Sequence, residues 1–255
     1  MRLSVVIPCY NEKNTIEKIV EIVKGVEGVD KEIVIVDDAS TDGSVEILKR
    51  IQNYNPEIKV VFKEVNKGKG DTLKVGFGYT TGDYVIIQDA DLEYDPQDYK
   101  KLIRALDEEK VDVIYGSRFS GSYEKMSSLH YFGNKLLTLI TNILFGVMLT
   151  DMETCYKLMP GDFVRKLNIK SARFDFEPEI TAKILKAGLK IKEVPISYKG
   201  RAFSEGKKIT WKDGFNHIYS LIKFRFFVKF GKTVLAMIVL ECLIRVRQNQ
   251  TFLGL

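Results

Sequence analysis

The chain has 255 residues, of which 45% are hydrophobic and 29% charged, and its formal net charge is +5. That length holds one large domain plus an appendage, and that composition excludes a disordered chain. The charge is uneven: residues 181–232 carry 13 Lys and Arg against 3 Asp and Glu, leaving the rest of the chain at −5, so the C-terminal third suits anions such as phosphate or anionic lipid.

Leu3 to Ile7 is an apolar run ending at Pro8, which predicts a first strand followed by the loop Cys9-Tyr10-Asn11-Glu12. Ile16, Ile19, Val20 and Val23 recur at helical spacing until Gly25. Glu32 to Val36 predicts a second strand that runs into Asp37-Asp38. Ser40 to Ser44 is a turn and helix cap, with a helix to Gln52. Ile58 to Phe62 is a third strand, and Asn66-Lys67-Gly68-Lys69-Gly70 opens the next helix. Here Lys69 and the backbone amides suit a phosphate or a ribose. Tyr84 to Ile87 is a fourth strand, after which Asp89 and Asp91 stand one residue apart. A helix follows Pro96 over 98–109, and Val111 to Tyr115 makes a fifth strand.

Strands alternating with helices predict an α/β fold: a doubly wound, mostly parallel sheet with helices on both faces. In such sheets ligands sit beyond the carboxyl ends of the strands. Tyr10-Asn11-Glu12, Asp37-Asp38 and Asp89-Ala90-Asp91 then converge on one edge. Residues i and i+2 of an extended segment face the same side, so Asp89 and Asp91 can share one hard cation, Mg²⁺ or Mn²⁺, with a diphosphate. Neither a dinucleotide fingerprint nor a P-loop follows the first strand.

Cys9, Cys155 and Cys242 are odd in number, far apart and in no metal spacing, which predicts free thiols in a reducing compartment. No secretory signal is read at the N-terminus, so the Asn249-Gln250-Thr251 sequon is taken as chance. The apolar stretch 226–244 is interrupted by Lys229, Lys232 and Glu241, which predicts an interfacial helix in place of a membrane span. Residues 136–149 form a second apolar segment, with a core helix and a helix lying in a membrane surface both open. Trp211, Phe215, Tyr219, Phe224, Phe226 and Phe227 interleave with Lys and Arg, as at a membrane surface. No nucleic-acid-binding module is present, so nucleic acid is not an expected partner.

Val5-Val6-Ile7-Pro8-Cys9-Tyr10-Asn11-Glu12, Val34 to Ser44, Asn66 to Gly70 and Asp89-Ala90-Asp91 together resemble the family-two glycosyltransferases of the A-type fold, over about residues 2 to 230. Within that family the chain is most similar to the polyprenyl-phosphate group, the dolichyl-phosphate mannose and glucose synthases and their prokaryotic relatives. The narrowing motifs are Tyr115 to Phe119, Asp151 to Lys157, Phe174 to Glu179, Glu193 to Arg201 and Ser204 to Ile209. The resemblance implies a catalytic domain over 1–208 and an amphipathic helical segment over 209–255 that associates with membrane or forms oligomers.

It also implies roles for single residues. Pro8, Tyr10 and Glu12 would line the nucleoside pocket, with Asp38 on the base and Lys69, Gly70 and Asp89 around the rest of the nucleotide. Asp89 and Asp91 would hold ribose and metal, and Glu93 stands where mannose synthases carry Gln as a further metal ligand. Arg118, Arg201 and Lys207 would meet the donor diphosphate or the acceptor phosphate. The expected catalytic residues are Asp91, Arg118, Arg201 and Glu177, the last as a positioning or base residue at a helix start.

The implied activity is inverting, metal-dependent transfer from a nucleoside-diphosphate sugar to a polyprenyl phosphate, by a peripheral or interfacial protein on the cytoplasmic face of a membrane. A phosphate monoester has its second pKa at about 6, so at neutral pH it is already a nucleophile and needs no strong base. The same fold acting on a saccharide hydroxyl would need one, which would make Glu177 essential. A non-catalytic membrane adaptor is the third possibility.

Overall fold

The computed structural model describes residues 1–124, 128–173, 175–201 and 211–227, apart from the side chains of 129, 211–215 and 227. Lys207, Cys242 and most of the 226–244 segment lie outside the described residues. Seven strands form one sheet: β1 (Leu3–Cys9), β2 (Lys31–Asp37), β3 (Lys59–Phe62), β4 (Tyr84–Ile87), β5 (Val113–Glu124), β6 (Lys157–Pro160) and β7 (Ile191–Lys199). Their spatial order is β3-β2-β1-β4-β6-β5-β7. Every neighbouring pair is parallel except those made by β6, which runs antiparallel to both β4 and β5.

The first half winds as its periodicity predicts. Helices α1 (Ile16–Lys24), α2 (Ser44–Tyr54), α3 (Lys69–Phe77) and α4 (Tyr99–Glu109) follow the strands in turn. In α1 the residues Ile16, Ile19, Val20 and Val23 are all buried. β1 is buried along almost its whole length because it lies between β2 and β4 and is covered on both faces. Proline is rare inside a central strand, since it removes a ladder donor. Pro8 is accommodated because β1–β4 pairing ends at Val6 and Ile87. Val6 O accepts from Gln88 N and Cys9 O from Asp38 N, so by alternation Pro8 faces the β4 side one step past the last pair.

β5 is longer than the predicted Val111 to Tyr115. It pairs with β7 on to Glu124 and is interrupted by a register shift between Ser117 and Ser122. Arg118 stands at the start of that irregular stretch. The second half completes with α5 (Ser128–Phe145), α6 (Gly161–Arg165), α7 (Phe176–Lys186) and α8 (Trp211–Ile222), and α8 packs against α5 and α7. Cys9 and Cys155 are both buried.

The end of the sheet opposite the strand carboxyl ends is tied by Glu32. Its Oε1 accepts from Ser4 Oγ at 2.5 Å, Thr81 N at 2.5 Å and Gly82 N at 3.1 Å, and its Oε2 accepts from Thr81 Oγ1 at 2.7 Å. Burial would raise this carboxyl, but the bonds from Ser4, Thr81 and Gly82 outweigh it and hold it below the ordinary glutamate value of 4.5. A depressed acid contributes stability above its unfolded pKa, and that stability is lost as pH falls through the folded value. Glu32→Gln is therefore expected to destabilise the domain at pH 7 by about 1–3 kcal/mol, the range for leaving buried donors poorly satisfied. Urea unfolding should show that gap narrowing below pH 4.5; a gap constant in pH would rule out the ionised carboxylate as its source.

Candidate active site

Three loops at the carboxyl ends of β1, β2 and β4 make the site, and each carries one non-glycine residue with positive φ: Asn11 at 54°, Ala39 at 58° and Leu92 at 62°. Left-handed backbone is unfavourable for Ala and Leu and is held there only by surrounding structure. Cross-ties supply that structure. Asn11 N donates to Ser40 Oγ at 2.9 Å, Thr41 N to Asn11 Oδ1 at 2.8 Å, and Glu12 N to Ser44 Oγ at 2.9 Å. Pro8 and Tyr10 sit half-buried at the end of β1 beside them, and Glu12 is buried.

Asp38 anchors the glycine-containing loop. Its Oδ1 accepts from Lys67 N at 3.0 Å and Lys63 Nζ at 2.5 Å, and its Oδ2 accepts from Gly68 N at 2.7 Å. The expected contact with a base would have to share oxygens already holding this loop. Gly68 has φ 95°, and a Cβ at Gly70 would lie 2.2 Å from Ser171 O. The glycines thus let the start of α3 pack directly on residues 171–172, whose backbone hangs from the Glu179 carboxylate through Lys170 N and Ser171 N. Lys69, the first residue of α3, places its Nζ 2.8 Å from Asp89 Oδ1 and 3.0 Å from Oδ2.

Arg201, just beyond β7, closes the cluster. Its Nη1 is 3.2 Å from Glu12 Oε2, its Nη2 is 3.1 Å from Asp91 Oδ2, and its backbone N donates to Glu93 Oε1 at 2.8 Å. Glu93 Oε2 accepts from Tyr198 OH at 2.7 Å, so both oxygens of the expected third metal ligand face groups of the β7 end. Burial, then Asp89 and Glu93, push the Asp91 carboxyl up to about 7, with Arg201 pulling the other way. Burial would also raise Asp89, but the Lys69 ammonium holds it below the ordinary range. Cys155, buried nearby with its Sγ 3.6 Å from Ile87 O, has its thiol pushed well up by burial and by Asp89, a direction that disfavours the thiolate.

Arg118 is also buried. Its Nε and Nη2 each lie 2.7 Å from the Asp151 carboxylate, and its guanidinium stacks 5.3 Å from the Tyr198 ring centroid. Glu177 lies at the start of α7 between two ammoniums, with Oε2 2.5 Å from Lys157 Nζ and Oε1 3.4 Å from Lys69 Nζ. Lys207 lies outside the described residues. The chain's own motifs thus place Glu12, Asp38, Lys69, Asp89, Asp91, Glu93 and Arg201 around one crevice. Tyr198, Asp151 and Lys157, within the quoted motifs but without an expected role, prove to be the partners that hold Glu93, Arg118 and Glu177.

Among the described residues, no group of three or more His, Cys, Asp or Glu side chains forms a ready metal cage. The donor set nevertheless fits a hard divalent cation completed by phosphate oxygens. Asp91 is a carboxylate whose like-charged neighbours make a proton welcome, and a cation there would take the proton's place.

The sequence profile of Glycosyl transferase family 2 matches residues 4–158. The chain belongs to that family. Among curated relatives, a low-salt glycan biosynthesis hexosyltransferase of Haloferax volcanii is 31% identical over 222 residues, covering 85% of this chain and 52% of the relative. A dolichol-phosphate mannosyltransferase of Pyrococcus furiosus is 30% identical over 233 residues, covering 88% of this chain and 64% of the relative. The chain therefore spans about half to two thirds of the length of these family-2 relatives. An uncharacterised protein of Methanocaldococcus jannaschii matches nearly end to end, at 30% identity over 88% of this chain and 92% of its own length. Glucosyl-3-phosphoglycerate synthase from Mycobacterium tuberculosis, solved with Mn²⁺, UDP and product, superposes with a TM-score of 0.65 at 19% identity over 88% of this chain and 79% of its own. At that identity the likeness is one of fold, and it places this family-2 chain in the A-type architecture expected from its sequence.

Proposed function

We propose that this family-2 glycosyltransferase moves a sugar, with inversion, from a nucleoside-diphosphate sugar to a polyprenyl or dolichyl phosphate at the cytoplasmic face of a membrane. The observation that carries the reading is the Arg201 cluster, in which one guanidinium holds carboxylates from the β1 and β4 loops across the crevice. A nucleoside diphosphate entering there meets the α3 start, Lys69 and Arg201, all suited to its charge. A Mg²⁺ or Mn²⁺ ion at Asp91 would supply charge neutralisation for the departing diphosphate. Crystals of the Mycobacterium synthase with Mn²⁺ or Mg²⁺ and UDP support that choice of cofactor and donor class. The name of the Pyrococcus relative supports the lipid-phosphate acceptor.

An exposed apolar face supports the membrane reading. On α5 one face is buried through Leu137, Thr138 and Thr141, while Phe132, Leu136, Leu139 and Ile143 are 53–73% exposed. Those four recur at helical spacing, and Tyr219, Ile222 and Phe226 add exposed apolar area on and just after α8. Among the described residues no helix is long and apolar enough to cross a membrane, so this face would lie in the interface, where a second copy of the chain is the competing occupant. A soluble saccharide acceptor is disfavoured by Glu177, because both of its oxygens face lysine ammoniums and neither is placed as a free base.

Incubation with radiolabelled UDP- and GDP-sugars, polyprenyl phosphate in vesicles and Mn²⁺ should give label in the lipid phase that chelator abolishes. Folded protein that labels no lipid from any of these donors would overturn the assignment.

A further inference from the structure

We propose that Lys157 is a positioning residue for the donor site, acting through Glu177 on the Lys69–Asp89 pair; this rests on the proposed binding of a metal nucleotide at Asp89 and Asp91. Lys157 is fully buried at the start of β6. Its Nζ reaches Glu177 Oε2 at 2.5 Å, donates to Thr154 O, and lies 4.9 Å from the Tyr115 ring centroid. From there charges alternate outward: Lys157, Glu177, Lys69, Asp89.

A buried lysine is expensive unless paired, and replacing such a pair with apolar groups is often neutral for stability. Fold stability therefore gives no strong reason for Lys157 to be charged, while the wiring of the site does. Glu177 Oε1 is buried and makes no hydrogen bond, and the Lys69 ammonium lies 3.4 Å from it. Lys69 instead bonds both oxygens of Asp89. Lys69 thus stands between two carboxylates that compete for it. Lys157 decides the contest by neutralising Glu177 from behind, so that Lys69 is left to Asp89. Without Lys157, Glu177 would draw Lys69 inward, and Asp89 would face the incoming diphosphate with its full negative charge.

The double substitution Lys157→Met/Glu177→Gln removes both the holder and the competitor, and it leaves Lys69 and Asp89 as they are. A merely structural role for Lys157 predicts no recovery of binding in that variant; a positioning role does. Calorimetry with Mn²⁺ and UDP or GDP should find Lys157→Met weakened by about 10-fold or more, the usual effect of removing an outer-layer partner. The double variant should return to within about threefold of the wild-type protein. Lys157→Gln, which keeps a donor to Thr154 O, carries the same expectation should the Met variant fail to fold. The crystal structure of the single variant should show the Lys69 ammonium moved from Asp89 to Glu177. Undiminished nucleotide affinity in the single variant, no recovery in the double, or an unmoved Lys69 would each overturn the inference. Wild-type protein that binds neither nucleotide would instead defeat the donor-site assignment, and the crystal structure would still decide the coupling.

Discussion

Asp91→Asn is expected to lower sugar transfer by about 10³-fold while leaving the metal-free fold as stable as before or slightly more so. The two effects have different causes. Activity falls, on the proposed function, because the amide removes the carboxylate proposed to hold a cation against the departing diphosphate. Stability does not fall because Asp91 is a burden on the folded chain. Burial, Asp89 and Glu93 raise its carboxyl to about 7, above the ordinary 3.8. Between those two values the folded state binds more protons than the unfolded one, so ionised Asp91 weakens the fold as pH rises toward 7. Asn carries no such charge, and Arg201 keeps Glu12 and the Glu93 carboxylate. Initial rates against Mn²⁺ concentration, with thermal unfolding alongside, measure both. An Asp91→Asn protein that retains more than about a tenth of the wild-type rate, with the same Mn²⁺ dependence, would remove Asp91 from the metal site.

That opposition of stability and activity also explains which parts of the molecule the sequence discloses. β1 through β4 and their helices follow from apolar runs and 3.6-residue spacing, because each buries its own hydrophobic residues against the neighbouring layer. The converging loops are legible for the same reason: once β1, β2 and β4 are adjacent, Glu12, Asp38 and Asp91 must share an edge. The pairings that hold the site are another matter. Arg201 and Glu12 are 189 residues apart, Arg118 and Asp151 are 33 apart, and Lys157 and Glu177 are 20 apart. Periodicity carries no information about which distant charge meets which: the motifs mark Glu12, Arg118, Glu177 and Arg201 but not their partners, and Asp151 and Lys157 carry no expected role. The antiparallel β6 is hidden likewise, since four residues without alternation leave direction to be decided by the neighbours. Resemblance to a family marks the motifs but does not say that Asp38 holds a loop or that Gly70 makes room for a carbonyl.

Asp151→Asn should destabilise the domain by about 3–5 kcal/mol, the effect of leaving one partner of a buried pair uncompensated. Asp151 is fully buried, and it receives Arg118 Nε, Nη2 and backbone N within 2.9 Å. Burial alone would lower the Arg118 guanidinium, but Asp151 overcomes it and holds the group well above its usual value, so arginine cannot escape the loss by giving up its proton. Adding Arg118→Met should restore most of the stability, because an apolar side chain of similar length can lie against Tyr198 and Phe119 where the guanidinium now stacks. Activity decides what the pair is for. If Arg118 meets a substrate phosphate, the double variant is stable and inactive, with its loss concentrated in the affinity for the lipid phosphate or the donor. If the pair serves only to fix the β5 irregularity and the loop that follows Thr150, the double variant regains activity together with its fold. Urea unfolding and steady-state kinetics on the same three proteins separate these outcomes, and a stable, fully active double variant would remove Arg118 from the substrate site.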